Sequence, residues 1–498
     1  MTLAHVEVVK SSKNAMAKTL REITEDIQII EVVGDIDIPI SGISYDTRGK
    51  IEAKGCFIAM KGTTFDGHTY IHDVIARGAH AIVCEHIDEV KEGITYIKVG
   101  NTYDAVAKMS EAFFDYPSRK LKLVGVTGTN GKTTTATLLH SFFRSRGESA
   151  VLLSTVENKI NDEVLPASQT TPDPYDISRM LRDGVDRGAK YAFMEVSSHA
   201  IDQRRISGLY FTGGIFTNIT HDHLDYHKTF EEYARVKKQF FDELPVNAFA
   251  ISNRDDKQGE WMLKNSKAKK YLYSLHDEAD FKGEIISSTL EGLEMNINNS
   301  PLHVPLIGAF NAYNTLGVYG ALVLLDIPEE EVRSGLSKLT PPRGRLEFVK
   351  SALGVFGVVD YAHTPDALEN VLKTIQGIVS KDAQIITVAG CGGDRDPFKR
   401  PIMGDIAHEF STYTIFTSDN PRSEKPEMIL EQITERLPDD DAWEVVVDRR
   451  EAIERAVAMA KSGDIVLVAG KGHEDYQEIK GVKHHFSDQE ELKRIFGI

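Results

Sequence analysis

The sequence predicts an α/β protein made of three domains. Its 498 residues exceed what one hydrophobic core accommodates. Apolar, β-branched segments alternate with amphipathic segments, which is typical of doubly wound parallel sheets. Proline-marked breaks near residues 118 and 345 predict domains at 1–118, 119–345 and 346–498.

The first domain, 1–118, is predicted to be small and α/β. Strands are expected at 55–60 and 79–84, with a helix over 70–77 between them. A second helix, 105–114, leads into 115–118. That segment is predicted to be a linker, because proline disfavours helix in the residue before it.

A strand, a glycine-rich turn and a helix between 121 and 143 form the most informative motif. The turn and the start of the helix read Gly128, Thr129, Asn130, Gly131, Lys132, Thr133 and Thr134. Backbone N–H groups and the helix dipole at such a turn suit a polyphosphate, to which Lys132 adds charge and the Thr133 hydroxyl an Mg²⁺ ligand. The spacing departs from G-x-x-x-x-G-K-[ST], since Val126 stands six residues before Lys132. We interpret the motif as an ATP site, the alternative being an ordinary Gly/Thr-rich turn.

Strand and helix alternate through the rest of the chain. In the central domain strands are expected at 149–154, 192–196 and 214–217, and helices at 230–244 and 312–325. In the C-terminal domain strands are expected at 355–359, 385–388, 414–417, 443–447 and 465–468, and helices at 426–437 and 450–459. This pattern predicts a P-loop ATPase-like central domain and a Rossmann-like C-terminal domain. No dinucleotide glycine fingerprint follows the C-terminal strands, so a nicotinamide site is not expected.

Composition excludes several classes of function. A net charge of −17 opposes nucleic-acid binding. No apolar run reaches the roughly 20 residues of a membrane helix, and the N-terminus lacks a signal-peptide core. Cys56, Cys84 and Cys391 are too widely spaced for a zinc site or a disulfide framework, which fits a cytoplasmic protein.

Carboxylates and histidines cluster after two predicted strands of the central domain. Glu195 ends one strand, and 218–227 places histidines and aspartates beyond another. Without a thiolate, and beside a phosphate loop, such oxygen-rich surroundings favour Mg²⁺ over zinc. A strand-end Glu195 satisfied by its neighbours is the alternative.

Lys237 lies on an apolar helix face. Tyr233, Lys237 and Phe241 are four residues apart, so they share one face of the predicted helix. A buried lysine loses its charge readily, which permits covalent chemistry on its nitrogen. From the spacing alone, a lysine that snorkels to solvent is the better explanation.

Seven motifs in order resemble those of the Mur ligases, the ATP-dependent amino-acid-adding enzymes of peptidoglycan precursor synthesis. They are 127–134, 195–199, 218–225, Tyr233-x-x-x-Lys237, Gly308-x-Phe310-Asn311-x-x-Asn314, Gly344-Arg345 and 360–365. The resemblance spans about 41–477. It implies that ATP converts a substrate carboxylate to an acyl phosphate, from which an amine then displaces phosphate.

The resemblance also implies roles for the central residues. Lys132 would bind the phosphates and Thr133 a first Mg²⁺, while Glu195 and His223 would hold a second. Lys237 falls where the family carries a CO₂-derived carbamate (N6-carboxylysine), and Tyr233 four residues back favours Lys237 over its neighbour Lys238. Asn311, Arg345 and Asp360 would contact the nucleotide, the last two from a domain that closes over ATP.

Within the family, the N-terminal segments resemble members that bind UDP-N-acetylmuramoyl-L-alanyl-D-glutamate and add a diamino acid. The residues implied for the UDP end are Tyr45, Thr47, Thr63, Thr64 and Phe65; those implied for the muramoyl dipeptide are Thr170, Thr171, Ser197, Gln203 and Arg205. The guanidinium of Arg205 suits a D-glutamyl carboxylate, because it can bind one bidentately. For the UDP segments alone, a turn-rich loop is an equally good interpretation.

The C-terminal domain would choose the amine. The tetrad Asp419-Asn420-Pro421-Arg422 resembles the signature of the meso-diaminopimelate-adding form, and Arg395, Gly470 and Glu474 also follow strand ends. Diaminopimelate is lysine plus one carboxylate, which Arg422 and Arg395 would clamp while Glu474 holds the distal ammonium. Lysine would leave buried guanidinium groups without a partner. Arg422 as a turn-capping surface residue is the alternative.

The resulting hypothesis is a cytoplasmic, monomeric ligase that adds meso-2,6-diaminopimelate to the UDP-muramoyl dipeptide. It would use ATP and two Mg²⁺ ions, act on small molecules, and bind neither nucleic acid nor membrane. The lysine-adding form is the first alternative, and the diaminopimelate tetrad disfavours it. Folylpolyglutamate synthase shares the phosphate-loop chemistry but not the UDP-type segments. A P-loop NTPase switch would hydrolyse nucleotide without an amino-acid acceptor.

Overall fold

The computed structural model describes residues 18–62, 65–167, 169–220 and 224–498. Thr63, Thr64 and His223, which were predicted as site residues, lie outside these ranges. The chain divides into two packed units. Unit 1 runs to Leu123 and includes Thr171–Ala192 and Val196–Phe211; unit 2 comprises Val124–Thr170, Phe193–Glu195 and Thr212–Ile498.

Helices and strands alternate along most of the described chain. The strands are β1 Lys18–Thr19, β2 Ile29–Val33, β3 Pro39–Ile40, β4 Ile43–Ser44, β5 Gly55–Ile58, β6 Ala79–Cys84, β7 Thr95–Val99, β8 Lys122–Thr127, β9 Ala150–Leu153, β10 Asn158–Ile160, β11 Glu163–Leu165, β12 Tyr191–Glu195, β13 Gly213–Phe216, β14 Phe249–Asn253, β15 Lys269–Ser274, β16 Phe281–Thr289, β17 Gly292–Ile297, β18 Ser300–Val304, β19 Glu347–Lys350, β20 Phe356–Asp360, β21 Ile385–Ala389, β22 Tyr413–Phe416, β23 Trp443–Val445, β24 Ile465–Ala469, β25 Tyr476–Ile479 and β26 Val482–His485. The helices are α1 Leu20–Ile23, α2 Ile71–Ala76, α3 Thr102–Phe113, α4 Lys132–Ser145, α5 Pro174–Asp186, α6 Ser198–Asp202, α7 Leu224–His227, α8 Phe230–Asp242, α9 Gly259–Met262, α10 Ala309–Leu324, α11 Glu329–Leu336, α12 Pro365–Ile378, α13 Lys399–Phe410, α14 Pro426–Thr434, α15 Arg449–Met459 and α16 Asp488–Phe496.

Unit 1 is built on a sheet in the order β2-β7-β6-β5-β4, in which β4 to β7 are parallel and β2 is antiparallel. Helix α3 begins three residues before its predicted start, because the Asn101 side chain caps it by accepting from the Asp104 N–H at 3.1 Å. The predicted linker is a packed turn instead. Pro117 and Ser118 are buried, and the Ser118 hydroxyl donates to the Glu111 carboxylate at 2.6 Å.

The larger sheet of the described chain has the order β11-β10-β9-β12-β8-β13-β14-β15-β16-β17-β18. Strands β8, β13, β14, β15 and β16 pair in parallel, as the strand–helix alternation predicts. Antiparallel pairs β9–β10–β11 and β16–β17–β18 extend it at both ends. The buried strand β8 ends at the glycine-rich turn, which places that turn at the carboxyl edge of the sheet.

The C-terminal sheet of unit 2 has the order β19-β20-β24-β21-β22-β23. Its strands run parallel except for β19, which is antiparallel to β20. Every predicted strand of this region is present, with its ends shifted by at most two residues. The 11-stranded and 6-stranded sheets both contain parallel and antiparallel pairs, and helices alternate with their strands along the chain. The predicted α/β fold class is therefore confirmed. Within the described ranges, no helix is long and apolar enough to span a bilayer.

Candidate functional site

The phosphate loop, residues 128–133, joins β8 to α4. Gly128 has φ +151° and Gly131 has φ +87°, conformations that other residues rarely adopt. A Cβ on Gly128 would lie 1.9 Å from the Thr217 hydroxyl, so the loop passes too close to the next strand for any side chain. Helix α4 begins without a side-chain cap. Its N-terminus therefore suits an anion.

Asn218 stabilises the phosphate loop through hydrogen bonds. Its carbonyl accepts from the Thr129 N–H at 2.8 Å, and its side-chain oxygen accepts from the Asn130 N–H at 3.0 Å. The hydroxyls of Thr129 and Tyr233 lie 3.1 Å apart. The sequence placed Asn218 in a metal-binding cluster; only its position just after a buried strand indicated a structural role.

Lys132, Thr133 and Glu195 converge at the start of α4. The Lys132 ammonium donates to the carbonyls of Gly128 and Thr129 at 2.9 and 2.8 Å. The Thr133 hydroxyl donates to Glu195 Oε1 at 2.9 Å, and Glu195 is 1% exposed. Thr134 is buried in the first turn of α4.

The side chains at the start of α4 that could bind a metal are therefore oxygen donors. A hydroxyl and a carboxylate beside a phosphate loop match the preference of Mg²⁺. Among the described residues no group of three His, Cys, Asp or Glu forms a metal cluster. His223, the other predicted ligand, is outside those residues.

Lys237 points from α8 to the phosphate loop. Its side chain is buried at 1% exposure, and its ammonium donates to the Gly128 carbonyl at 2.8 Å and lies 4.8 Å from the Tyr233 ring centre. Snorkelling is thus excluded. Lys238, its neighbour, pairs instead with Asp242 at 2.5 Å.

The three residues predicted to contact the nucleotide, Asn311, Arg345 and Asp360, each contact a different part of the protein. Asn311 donates to the Ile307 carbonyl at 2.8 Å. The Arg345 guanidinium lies 5.1 Å from the centre of the Tyr361 ring. Burial raises the pKa of Asp360 to about 6, and its carboxylate accepts from the Leu346 N–H at 2.7 Å.

A contact that the sequence did not indicate joins the phosphate loop to α12, a helix of the C-terminal region. The Asn130 amide donates to the Asp366 carboxylate, in the first turn of α12, at 3.0 Å. Because 236 residues separate the partners, no local pattern could reveal the pair.

In unit 1 the structure brings together four residues predicted for the muramoyl dipeptide. Ser197 caps α6, and its N–H donates to the Thr171 hydroxyl at 3.0 Å. Arg205 donates to the Thr171 carbonyl at 2.9 Å and, through Nε, to Gln203 at 3.0 Å. Thr170, the fifth, is half-buried and belongs to unit 2.

The UDP-end residues are less closely grouped. Burial, and then the charge of Asp173, raises the pKa of Tyr45 well above its usual value. The Thr47 carbonyl accepts from Arg77 at 2.6 Å. Phe65 is 39% exposed and stacks on Tyr70 at 4.9 Å.

Two loops carry the arginines predicted to read the diaminopimelate carboxylate. The Gly393 N–H donates to the Asn420 carbonyl at 2.9 Å, and Arg422 donates to the Gly393 carbonyl at 2.7 Å. The prediction of buried guanidinium groups is wrong. The Arg422 side chain is 22% exposed and lies 3.7 Å from Glu478, and Arg395 is exposed. The cause is backbone geometry: Arg422 has φ +50° and pairs with the β25–β26 hairpin, which turns its side chain along Gly393.

Asn420, on the loop that carries Arg422, forms a hydrogen bond with Glu474. The buried Asn420 amide donates to Glu474 Oε2 at 2.7 Å. Burial, and then the charge of Asp419, raises the pKa of Glu474. Gly470 has φ +114°, and a Cβ there would lie 2.7 Å from Asp419, so the loops pack without room for a side chain. Pro421 is buried between them.

A glycine-rich loop between a buried strand and an uncapped helix, with the Glu195 carboxylate beside it, is typical of nucleotide-dependent enzymes. Three family models match the chain: "Mur ligase family, catalytic domain" over 39–121, "Mur ligase middle domain" over 126–322 and "Mur ligase, glutamate ligase domain" over 344–472. The chain therefore belongs to the Mur ligase family, as its motifs predicted.

Individual relatives are similar to this chain over almost its whole length. The UDP-N-acetylmuramoyl-L-alanyl-D-glutamate–2,6-diaminopimelate ligase of Bacteroides fragilis is 51% identical, over 96% of this chain and 99% of its own. The ligase of the same name from Bacteroides thetaiotaomicron is 52% identical, over 96% and 99%. A solved structure of a ligase of that name shares 33% of its residues with a TM-score of 0.72, over 97% of this chain and 99% of its own.

Proposed function

We propose that this chain adds meso-2,6-diaminopimelate to UDP-N-acetylmuramoyl-L-alanyl-D-glutamate, with cleavage of ATP to ADP and phosphate. The observation that carries the proposal is the loop cluster around Asn420. There a carboxylate, Glu474, and a guanidinium, Arg422, lie on adjoining loops, which suits an amino acid with a second ammonium and an additional carboxylate. The names of the full-length relatives support the same reaction.

The reaction has two chemical steps. A substrate carboxylate oxygen attacks the γ-phosphorus of ATP and the bond to ADP breaks, which leaves an acyl phosphate. The neutral amine nitrogen of the amino acid then attacks the acyl carbon, phosphate leaves with its bonding electrons, and the nitrogen loses a proton. Both steps concentrate negative charge, so cations and N–H donors fixed in advance accelerate them.

On the nucleotide side, the proposed phosphate ligands are the N-terminus of α4 and the residues of 128–134. Lys132 is already held within the loop by two carbonyls, so its ammonium is placed before ATP binds. The proposed nucleotide contacts are Asn311 on α10, Arg345 just before β19 and Asp360 at the end of β20.

Thr133 and Glu195 are proposed to hold Mg²⁺, and His223 to complete the second of two sites. Bound Mg²⁺ would supply Lewis-acid stabilisation of the phosphoryl oxygens. Lys237 is proposed to carry a carbamate, supported by its burial and by the 2.8 Å contact of its nitrogen with the loop that would cradle the phosphates. The carbamate would convert a cation into an oxygen ligand.

In unit 1, Thr171, Ser197, Gln203 and Arg205 are proposed to bind the muramoyl dipeptide. Their mutual hydrogen bonds fix the Arg205 fork in one orientation, which lowers the entropy lost on binding a carboxylate. Tyr45, Thr47, Thr63, Thr64 and Phe65 are the proposed UDP contacts.

One observation favours the lysine-adding form as a second candidate. Arg422 already donates to Gly393 and lies near Glu478, so lysine would not leave it without partners. Discrimination against lysine then comes only from the electrostatic attraction to the second carboxylate of diaminopimelate, which lysine lacks.

Phosphate release with the UDP-muramoyl dipeptide, alone and with meso-diaminopimelate or lysine, tests the proposal. We expect release that depends on diaminopimelate, with a product whose mass contains that amino acid. Preference for lysine would establish the second candidate. Hydrolysis that needs no acceptor would contradict both and favour an NTPase switch.

We also propose that the reaction takes place in the cytoplasm. Cys56, Cys84 and Cys391 are buried free thiols, which suits a reducing compartment. The monomeric state and the lack of a nucleic-acid partner stay predictions.

A further inference from the structure

Lys471 is a fully buried lysine within the amine-binding loops. Its side chain is 0% exposed, and it follows Gly470 directly after β24. An ammonium removed from water is costly unless oxygens surround it. Here it has three: Asn420 Oδ1 at 3.4 Å, Glu474 Oε2 at 3.3 Å and the Tyr476 carbonyl. With three N–H donors and three acceptors, the ammonium has no bond left for a substrate.

These contacts orient Asn420. Its Oδ1 accepts from Lys471 and also from the Glu478 N–H at 2.8 Å, so the amide oxygen must face these two donors. The amide nitrogen is thereby directed to Glu474 Oε2, at 2.7 Å. Glu474 thus receives two donors on Oε2 alone, and its Oε1 is the oxygen that can meet an ammonium.

The charges around Glu474 are of both signs. Asp419 repels its ionised form, whereas Lys471 and the Asn420 amide stabilise it. Arg449 on α15 and Tyr361 after β20 also interact electrostatically with Glu474. The centre of the Tyr476 ring lies 5.4 Å from the Lys471 ammonium. Of these groups, Lys471 is the cation in hydrogen-bond contact with the carboxylate.

We propose that Lys471 is a positioning residue for the amine site, which pairs with the Glu474 carboxylate and orients it so that it binds the distal ammonium of the diamino acid. The inference rests on the proposed function, since it assigns Glu474 to that ammonium. It adds a residue that does not touch the substrate but sets the charge of one that does.

The test is the KM for diaminopimelate between pH 6 and pH 9 in Lys471→Met and in wild type. Without the cation the pKa of Glu474 moves further upward, so a smaller share of Glu474 is ionised at neutral pH and the substrate ammonium binds more weakly. We expect KM at pH 7 to rise about tenfold or more, to recover in part at pH 9, and KM for ATP to stay within about twofold. Lys471→Arg keeps the charge and should retain most of the wild-type pH profile.

A second variant, Lys471→Gln, removes the charge but keeps hydrogen-bond donors, and it serves if Lys471→Met does not fold. Glu474→Gln supplies the coupling test: with Glu474 neutral, loss of Lys471 should add little. A KM that rises equally for diaminopimelate and ATP, or that rises without any change in the pH profile, would overturn the proposal. Product formation by the wild type reports separately on the proposed function, and the ratios are taken with the amino acid that the wild type adds.

Discussion

Glu111 should reduce the stability of unit 1 at neutral pH, and Glu111→Gln should relieve that cost. The carboxyl is 1% exposed in α3 and accepts from the hydroxyls of Ser118 at 2.6 Å and Ser178 at 3.1 Å. Burial raises the pKa of Glu111 from 4.5 to about 6 despite these bonds. A group whose pKa is raised by folding stabilises the protein below its unfolded pKa, and that stability is lost as pH rises through the folded value.

The magnitude follows from the shift. A change of about 1.5 pKa units corresponds to about 2 kcal/mol at pH 8, and to less than half of that at pH 5. Glutamine has the same shape and no charge. Its oxygen can accept from Ser118 and its nitrogen can donate to Ser178, because a serine hydroxyl serves either role.

Amide hydrogen exchange of α3 and α5 in the full chain measures the effect. We expect Glu111→Gln to slow exchange roughly 30-fold at pH 8 and only a few-fold at pH 5, relative to wild type at the same pH. Exposed Glu92→Gln is the matched control and should change nothing. Equal slowing at both pH values, or faster exchange at pH 8, would refute the reasoning.

Three further predictions concern the proposed active site. Lys237→Ala should lose most activity and regain part of it with short carboxylic acids that replace the carbamate, whereas Lys238→Ala should do little; near-normal activity of Lys237→Ala without additive would contradict the carbamate. Lys132→Ala and Thr133→Ala should abolish most ATP use, through lost phosphate charge and lost Mg²⁺ ligation, but calorimetry should still detect the UDP-muramoyl dipeptide; equal loss of both ligands would indicate misfolding. Arg422→Ala should raise KM for diaminopimelate about tenfold or more, leave that for ATP unchanged and reduce the preference over lysine in kcat/KM; an unchanged ratio would make Arg422 structural.

The parts of the fold that the sequence predicted are those where burial is uniform. Strands such as β21 and β24 are buried along their whole length, so their apolar runs and the helices between them are unambiguous. The antiparallel strands β16 to β18 were not predicted. They alternate buried and exposed residues, contain Pro301 and an irregular register near Ile285, and depend on pairing with each other.

The same division holds for the site. The phosphate loop was predictable because its chemistry lies in consecutive residues. Asn130–Asp366 and Lys471–Asn420 were not, since each pair joins segments that only the folded chain brings together. The prediction for the Arg422 side chain was wrong for a different reason. Its direction depends on a left-handed backbone conformation that no property of arginine predicts.

Unit 1 is discontinuous in sequence, and this constrains the order in which the protein can fold during synthesis. Helix α5 packs on α3, with Arg182 pairing to Asp115 at 2.8 Å and Ser178 to Glu111, about 70 residues away along the chain. A ribosome-bound chain that ends near residue 118 has the sheet of unit 1 but exposes the α3 face that α5 covers. Completion of that core must wait until residues 171–211 emerge, and until then the exposed α3 face is accessible to chaperones and proteases.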